Sequence, residues 1–244
     1  CKVNEYESDA VEEILIKKGN IKDKENPDIF IINTCSVTSV ADQKSRQMIR
    51  KIRKTYPNLK CLAVMGCYSQ HAENVISSIG ADVAIGTRFR NILVDLIFDY
   101  IKNHKQIIKI DNNVRKFEYE SFQEMPNINK TRAYVKIQDG CDNFCSYCII
   151  PFTRGNSRSR NQDEIINEIK YLVNKGYKEV VLTGIHTAGY GKDLSNFTFS
   201  DLVEKILIEV PDLYRLRISS IEESEIDDKF ISLLEQYDRI ANHL

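Results

Sequence analysis

Apolar positions along the chain recur with two periods, one near 3.6 residues and one of 2, and the switches between them mark a run of elements. Val11, Ile14 and Leu15, closed by Gly19, give residues 3–19 a helical stripe. The apolar run DIFIIN at 28–33 reads as a strand, and Val37 to Lys54 as a helix. The cycle repeats with CLAVMG at 61–66 and ADVAIG at 81–86 as strands, and with YSQHAENVISSIG at 68–80 and FRNILVDLIFDYIK at 89–102 as helices. Residues 1–103 are therefore predicted to form an open α/β sheet with parallel strands. Residues 104–131, with Asn112, Asn113, Pro126, Asn127 and Asn129, break the rhythm and read as a linker or an edge hairpin. A second series follows: RAYVKIQ, EVVLTG and YRLRISS as strands, and Asp163 to Asn174, FSDLVEKILIEV and DDKFISLLEQY as helices. Three successive βα units over 132–244 suggest part of a barrel or half-barrel.

Composition narrows the class. A chain of 244 residues, 42% hydrophobic and with a formal net charge of -1, is long enough for one large or two medium cores. No apolar run approaches the roughly 20 residues that span a bilayer, and CKVNEYESDA is not a signal peptide, so the expectation is a cytoplasmic protein with no membrane partner. A first residue of Cys1 and a closing IANHL without a stop feature read as a chain cut at both ends. The balanced charge hides a stretch without acids from Gln43 to Ala72, which carries Lys44, Arg46, Arg50, Lys51, Arg53, Lys54 and Lys60. Such a helix suits either an RNA backbone or a solvated surface.

Seven cysteines, an odd number without a secretory signal, argue for reduced thiols rather than a disulfide framework. Cys141, Cys145 and Cys148 fall in GCDNFCSYCIIPFTRG, a loop after the first strand of the second series. Three thiolates leave a coordination position open, as a metal centre for chemistry requires. A zinc knuckle completed by His186 is the structural alternative. Cys35 and Cys67 each follow a predicted strand, and Cys1 would do so if a strand preceded it. In an open α/β sheet these positions share the carboxyl edge, where ligands bind. Cys61 lies inside a strand and reads as a core residue.

GCDNFCSYC resembles the radical S-adenosylmethionine signature, in which three cysteines hold a 4Fe–4S cluster and S-adenosylmethionine chelates the fourth iron; Tyr147 also fits that pattern. The resemblance implies reductive cleavage of the sulfonium to a 5′-deoxyadenosyl radical. With Cys1, Cys35 and Cys67 as a second set, the chain is similar to the methylthiotransferases. It then implies two 4Fe–4S clusters, an auxiliary one in an N-terminal domain at 1–103 and a radical one in an incomplete domain at 132–244. NTCSVTSVADQKSRQ and GCDNFCSYCIIPFTRGNSRSR look most like the branch acting on threonylcarbamoyladenosine in tRNA. The branches acting on isopentenyladenosine in tRNA or on a ribosomal-protein aspartate usually carry Ser-Arg-Pro, where this chain has Ser159, Arg160 and Asn161. The implied partners are tRNA and an electron donor protein, and the sequence leaves oligomeric state unknown. A non-catalytic, metal-stabilised RNA-binding protein is the rival from another class.

Further residues carry weaker signals. Thr183 and Gly184 resemble the family segment near the methionine moiety, and Ser219, Ser220 and Glu222 the segment near ribose and sulfonium; a helix N-cap is the alternative for the serines. Arg154, Arg158 and Arg160 suit phosphate contacts or a solvated loop.

Overall fold

The computed structural model describes residues 1–122 and 131–243, which divide into two compact units. Unit 1 comprises Cys1, Val3–Pro126 and Asn143–Gly155; unit 2 comprises Lys2, Asn127–Asp142 and Asn156–Leu244.

In unit 1 the elements are α1 (Lys2–Lys17), β1 (Ile29–Thr34), α2 (Ser39–Thr55), β2 (Cys61–Gly66), α3 (Cys67–His71), α4 (Glu73–Ser78), β3 (Val83–Ile85), α5 (Leu93–Asn103), β4 (Ile107–Lys109) and α6 (Ile150–Thr153). The strands lie side by side in the order β1-β2-β3-β4, all parallel, with Ile29 opposite Cys61, Ala63 opposite Val83, and Val83 opposite Ile107. Period 2 in β2 sends Cys61, Ala63 and Met65 to one face and Leu62 and Val64 to the other. The first face packs with Val11 and Ile14 of α1 and Leu93, Val94 and Ile97 of α5; the second with Ile49 and Ile52 of α2 and Ile76 of α4. Helices on both faces make β2 buried throughout, which is why it reads as a continuous apolar run.

Two elements differ from the sequence pattern. The helix expected at 68–80 is broken at Ala72 (φ -118°, ψ 38°) into α3 and α4. The stretch 104–131, expected as a linker or edge hairpin, supplies β4 as a parallel edge strand, and Val114 and Phe117 are buried. Three residues are too few to show a period. Residues 123–130 of that stretch lie outside the described residues.

Unit 2 contains β5 (Ala133–Lys136), β6 (Gln138–Asp139), β7 (Arg158–Ser159), α7 (Gln162–Asn174), β8 (Glu179–Thr183), α8 (Phe199–Glu209), β9 (Arg215–Ile218) and α9 (Asp228–Gln236). β5, β8 and β9 form a parallel sheet in that order, with Ala133 opposite Val180 and Glu179 opposite Arg215. α7 and α8 are its crossovers, and beyond α9 a parallel bridge joins Ile240 to Leu216. The helix starts are capped by side chains: Asn161 accepts from the amides of Asp163 and Glu164, Thr198 and Asp201 form a capping box, and Asp227 accepts from the Phe230 amide. This is the βα series expected for 132–244. A two-stranded antiparallel ladder of β6 and β7 branches from it, pairing Gln138 with Ser159.

Candidate metal centres

The carboxyl edge of the unit 1 sheet carries two of the first set of cysteines. Cys35 directly follows β1, and Cys67 opens α3 directly after β2. Those strand ends approach closely because Gly66, at φ +102°, has no side chain; a Cβ there would stand 2.4 Å from the Thr34 carbonyl oxygen. Cys1 caps α1, its sulfur accepting from the Asn4 amide at 3.4 Å. The Asn4 side chain donates to the Thr34 carbonyl at 3.0 Å and accepts from Arg154 at 2.9 Å. Arg154 in turn donates through Nε to the Cys67 sulfur at 3.3 Å and through its other nitrogens to Glu7 at 2.9 and 3.1 Å. One hydrogen-bonded chain therefore links Cys1, the residue before Cys35, and Cys67. Glu7 is fully buried and also lies 3.0 Å from Arg90, which pairs with Glu120 at 2.7 Å.

These residues fit an iron–sulfur cluster in donor chemistry: three free thiols, one of them already the acceptor of a guanidinium hydrogen bond. Among the described residues no three His, Cys, Asp or Glu side chains are gathered for a single metal ion. A cluster seats its thiolates on different irons, so its ligands stand further apart than those of one ion. Cys61 is fully buried in β2, where burial pushes its thiol up to about 12, as a core residue.

The second set lies in one short loop; Cys141 is counted with unit 2, Cys145 and Cys148 with unit 1. Cys145 is exposed and Cys141 and Cys148 are half-buried. Left-handed Gly140 (φ 74°) and Phe144 (φ 46°) turn the loop, and the Cys148 amide donates to the Cys145 carbonyl at 2.9 Å. Tyr147 is 90% exposed. Three soft thiolates in eight residues again suit a cluster with one iron left open.

Sequence patterns did not single out Gln138, which organises the strand ends of unit 2. Its fully buried amide donates to the Asp139 and Gly140 carbonyls and to Ser157 Oγ, while its oxygen accepts from the His186 amide at 2.9 Å. The only cue available was a polar residue closing the strand before the Gly-Cys pair. Thr183 is buried at the end of β8. Gly184 follows it, and a Cβ there would come within 3.0 Å of Gln138 Oε1. Ser219, half-buried after β9, lies 3.1 Å from Thr187 Oγ1, and Ser220 and Glu222 are exposed. The serines cap no helix, since α9 begins nine residues after Ser219 with Asp227 as its cap. His186, the alternative zinc ligand, has Nε2 2.5 Å from a Glu225 oxygen.

Arg154, Arg158 and Arg160, expected as phosphate contacts or solvated charges, are not solvated. All three are buried against carboxylates: Arg154 on Glu7, Arg158 on Asp139 at 3.1 Å, and Arg160 on Glu164 at 3.2 Å and on Glu168. By contrast Lys44, Lys51 and Lys54 share an exposed stripe of α2, opposite its buried Ser45, Ile49 and Ile52.

Comparison with known proteins places both units. Residues 1–86 match a model described as uncharacterized protein family UPF0004, and residues 135–241 match the Radical SAM superfamily. The chain thus joins a segment that matches UPF0004 to a following segment that matches the Radical SAM superfamily. Over its whole length it is 40% identical to threonylcarbamoyladenosine tRNA methylthiotransferase MtaB of Bacillus subtilis, covering 54% of that protein. It is 37% identical to the protein of the same name from Rickettsia prowazekii, covering 55% of it. A tRNA-2-methylthio-N(6)-dimethylallyladenosine synthase of Clostridium botulinum is 33% identical, with 56% covered. The chain thus spans about half the length of the curated relatives it matches. No helix among the described residues is long and apolar enough to cross a membrane.

Proposed function

We propose that the complete protein is a cytoplasmic methylthiotransferase that converts threonylcarbamoyladenosine next to the tRNA anticodon to its 2-methylthio derivative. The observation that carries this reading is the pairing of two cysteine sets: one at the carboxyl edge of a parallel sheet, the other in a Cys-x-x-x-Cys-x-x-Cys loop. Cys141, Cys145 and Cys148 would hold a 4Fe–4S cluster with S-adenosylmethionine, and Cys1, Cys35 and Cys67 an auxiliary 4Fe–4S cluster. Bound there, these groups supply a 5′-deoxyadenosyl radical and a site for the sulfur to be inserted. Thr183, Gly184, Ser219, Ser220 and Glu222, at the strand ends of unit 2, would line the cofactor; Gln138 holds the Gly140 carbonyl and the His186 amide in place around them.

RNA bases are reached in loops rather than in duplex grooves, and phosphate contacts set register without choosing the base. The exposed Lys44, Lys51 and Lys54 would offer contacts of that kind. An electron donor protein completes the partner set.

The test is mass spectrometry of tRNA nucleosides from cells with and without the full-length gene. Loss of the 2-methylthio form of threonylcarbamoyladenosine is expected. Loss of the methylthio form of isopentenyladenosine instead would move the protein to that substrate, and no change in any methylthio nucleoside would overturn the tRNA reading.

A further inference from the structure

We propose that Arg154 is a positioning residue of the auxiliary centre, holding the Cys67 sulfur as a charge-stabilised ligand and raising the reduction potential of the group bound there. The inference rests on Cys1, Cys35 and Cys67 being cluster ligands. Arg154 lies in the segment after the second cysteine loop, 87 residues from Cys67, yet is fully buried with its Nε on the Cys67 sulfur at 3.3 Å. The rest of its guanidinium is fastened: Glu7 accepts two of its bonds and Asn4 one. Asn4 in turn touches Cys1 and the Thr34 carbonyl, so the donor aimed at Cys67 is oriented by the residues that place the other two thiols. Its backbone is pinned as well, because the preceding Thr153 carbonyl accepts from Thr87 Oγ1 at 2.7 Å and Gly155 packs against the Val114 carbonyl.

Two features make this more than a structural ion pair. Glu7 is shared between Arg154 and Arg90, so its charge is divided between two guanidiniums. A planar fork that binds a carboxylate with one edge and presents Nε to a sulfur is a geometry Lys cannot copy in full. Hydrogen bonds to ligating sulfurs and nearby positive charge stabilise the more electron-rich state of a cluster and so raise its potential.

The experiment uses full-length protein in which Cys141, Cys145 and Cys148 are all changed to Ala, so that only the auxiliary centre can be reconstituted. Its iron content and its midpoint potential, followed by electron paramagnetic resonance, are measured with Arg154 intact, with Arg154→Met and with Arg154→Lys. Arg154→Met is expected to lower the reduced-to-oxidised ratio at a fixed poise about tenfold, about 59 mV for one electron. Arg154→Lys should recover part of that shift, because it keeps the charge. An unchanged potential in Arg154→Met at full iron content would overturn the proposal. Should Arg154→Met hold no iron, retention of a cluster of near-native potential in Arg154→Lys supports a charge role, and loss of iron in both variants refutes it. Absence of iron in the Arg154-intact parent would instead refute the ligand assignment itself.

Discussion

Gly66→Ala offers a sharp test of how the sheet edge is built. The substitution adds one methyl group at φ +102° and ψ -167°, a region essentially reserved to glycine that costs another residue about 1–3 kcal/mol. The new Cβ would stand 2.4 Å from the Thr34 carbonyl oxygen and 2.5 Å from Asn33 Oδ1, against 3.4–4 Å for ordinary contact. The Asn33 side chain can move away only by breaking its hydrogen bonds to the Asn4 carbonyl and Ser8 Oγ. The Thr34 carbonyl cannot do so freely, since it belongs to β1 and accepts from Asn4 at 3.0 Å, so the strand end must shift at a cost of about 1–3 kcal/mol. Together the two effects predict a loss of about 2–6 kcal/mol. Gly19→Ala is the control in the same unit: it too has positive φ, +85°, but nothing lies within 4 Å of its Cβ, so only the conformational cost of about 1–2 kcal/mol applies. Urea unfolding read by hydrogen exchange at β1 and β2 amides separates this unit from the other, since a two-unit chain need not unfold in one step. Equal losses in the two variants would refute the close-approach argument. Gly66→Ala should also lower iron retention at the auxiliary set, because Cys35 and Cys67 sit at the two strand ends it forces apart.

Other outcomes follow from the same geometry. Cys145→Ala should abolish S-adenosylmethionine cleavage by the reconstituted full-length protein, whereas Cys35→Ala should leave cleavage largely intact and stop methylthiolation, as paired product assays would register. Changing Lys44, Lys51 and Lys54 together to Gln should weaken tRNA binding and reduce the slope of log affinity against log salt by about 2–3, with cofactor cleavage unaffected in the absence of tRNA. The Arg217 hydrogen bond holds the Glu179 carboxyl below its ordinary value of 4.5, so its contribution is present above that value and fades as pH falls through the lower folded-state pKa. Glu179→Gln should therefore flatten the acid limb of stability between those two points, as measured by thermal unfolding over a pH series.

The local pattern of apolar residues determined a great deal here. The continuous apolar run CLAVMG read as a buried strand, and in the fold every one of its residues is buried, with successive ones facing different helices. Thiol spacing in GCDNFCSYC and the place of Cys35 and Cys67 after apolar runs needed no structure, because ligand geometry and strand ends are written within a few residues. β4 was beyond that kind of signal, since three residues at a sheet edge carry too little apolar surface to set a period. The arginines after the cysteine loop mark the deeper limit. A run with Arg154, Arg158 and Arg160 looks basic and solvent-facing when read locally, and only the tertiary fold supplies Glu7, 147 residues away, or buries Arg160 against Glu168. Whether a charge meets water, phosphate or a carboxylate depends on groups brought together by chain closure. That is also why the sequence marked Cys67 as a candidate ligand while the bond from Arg154 to its sulfur became visible only in the folded unit.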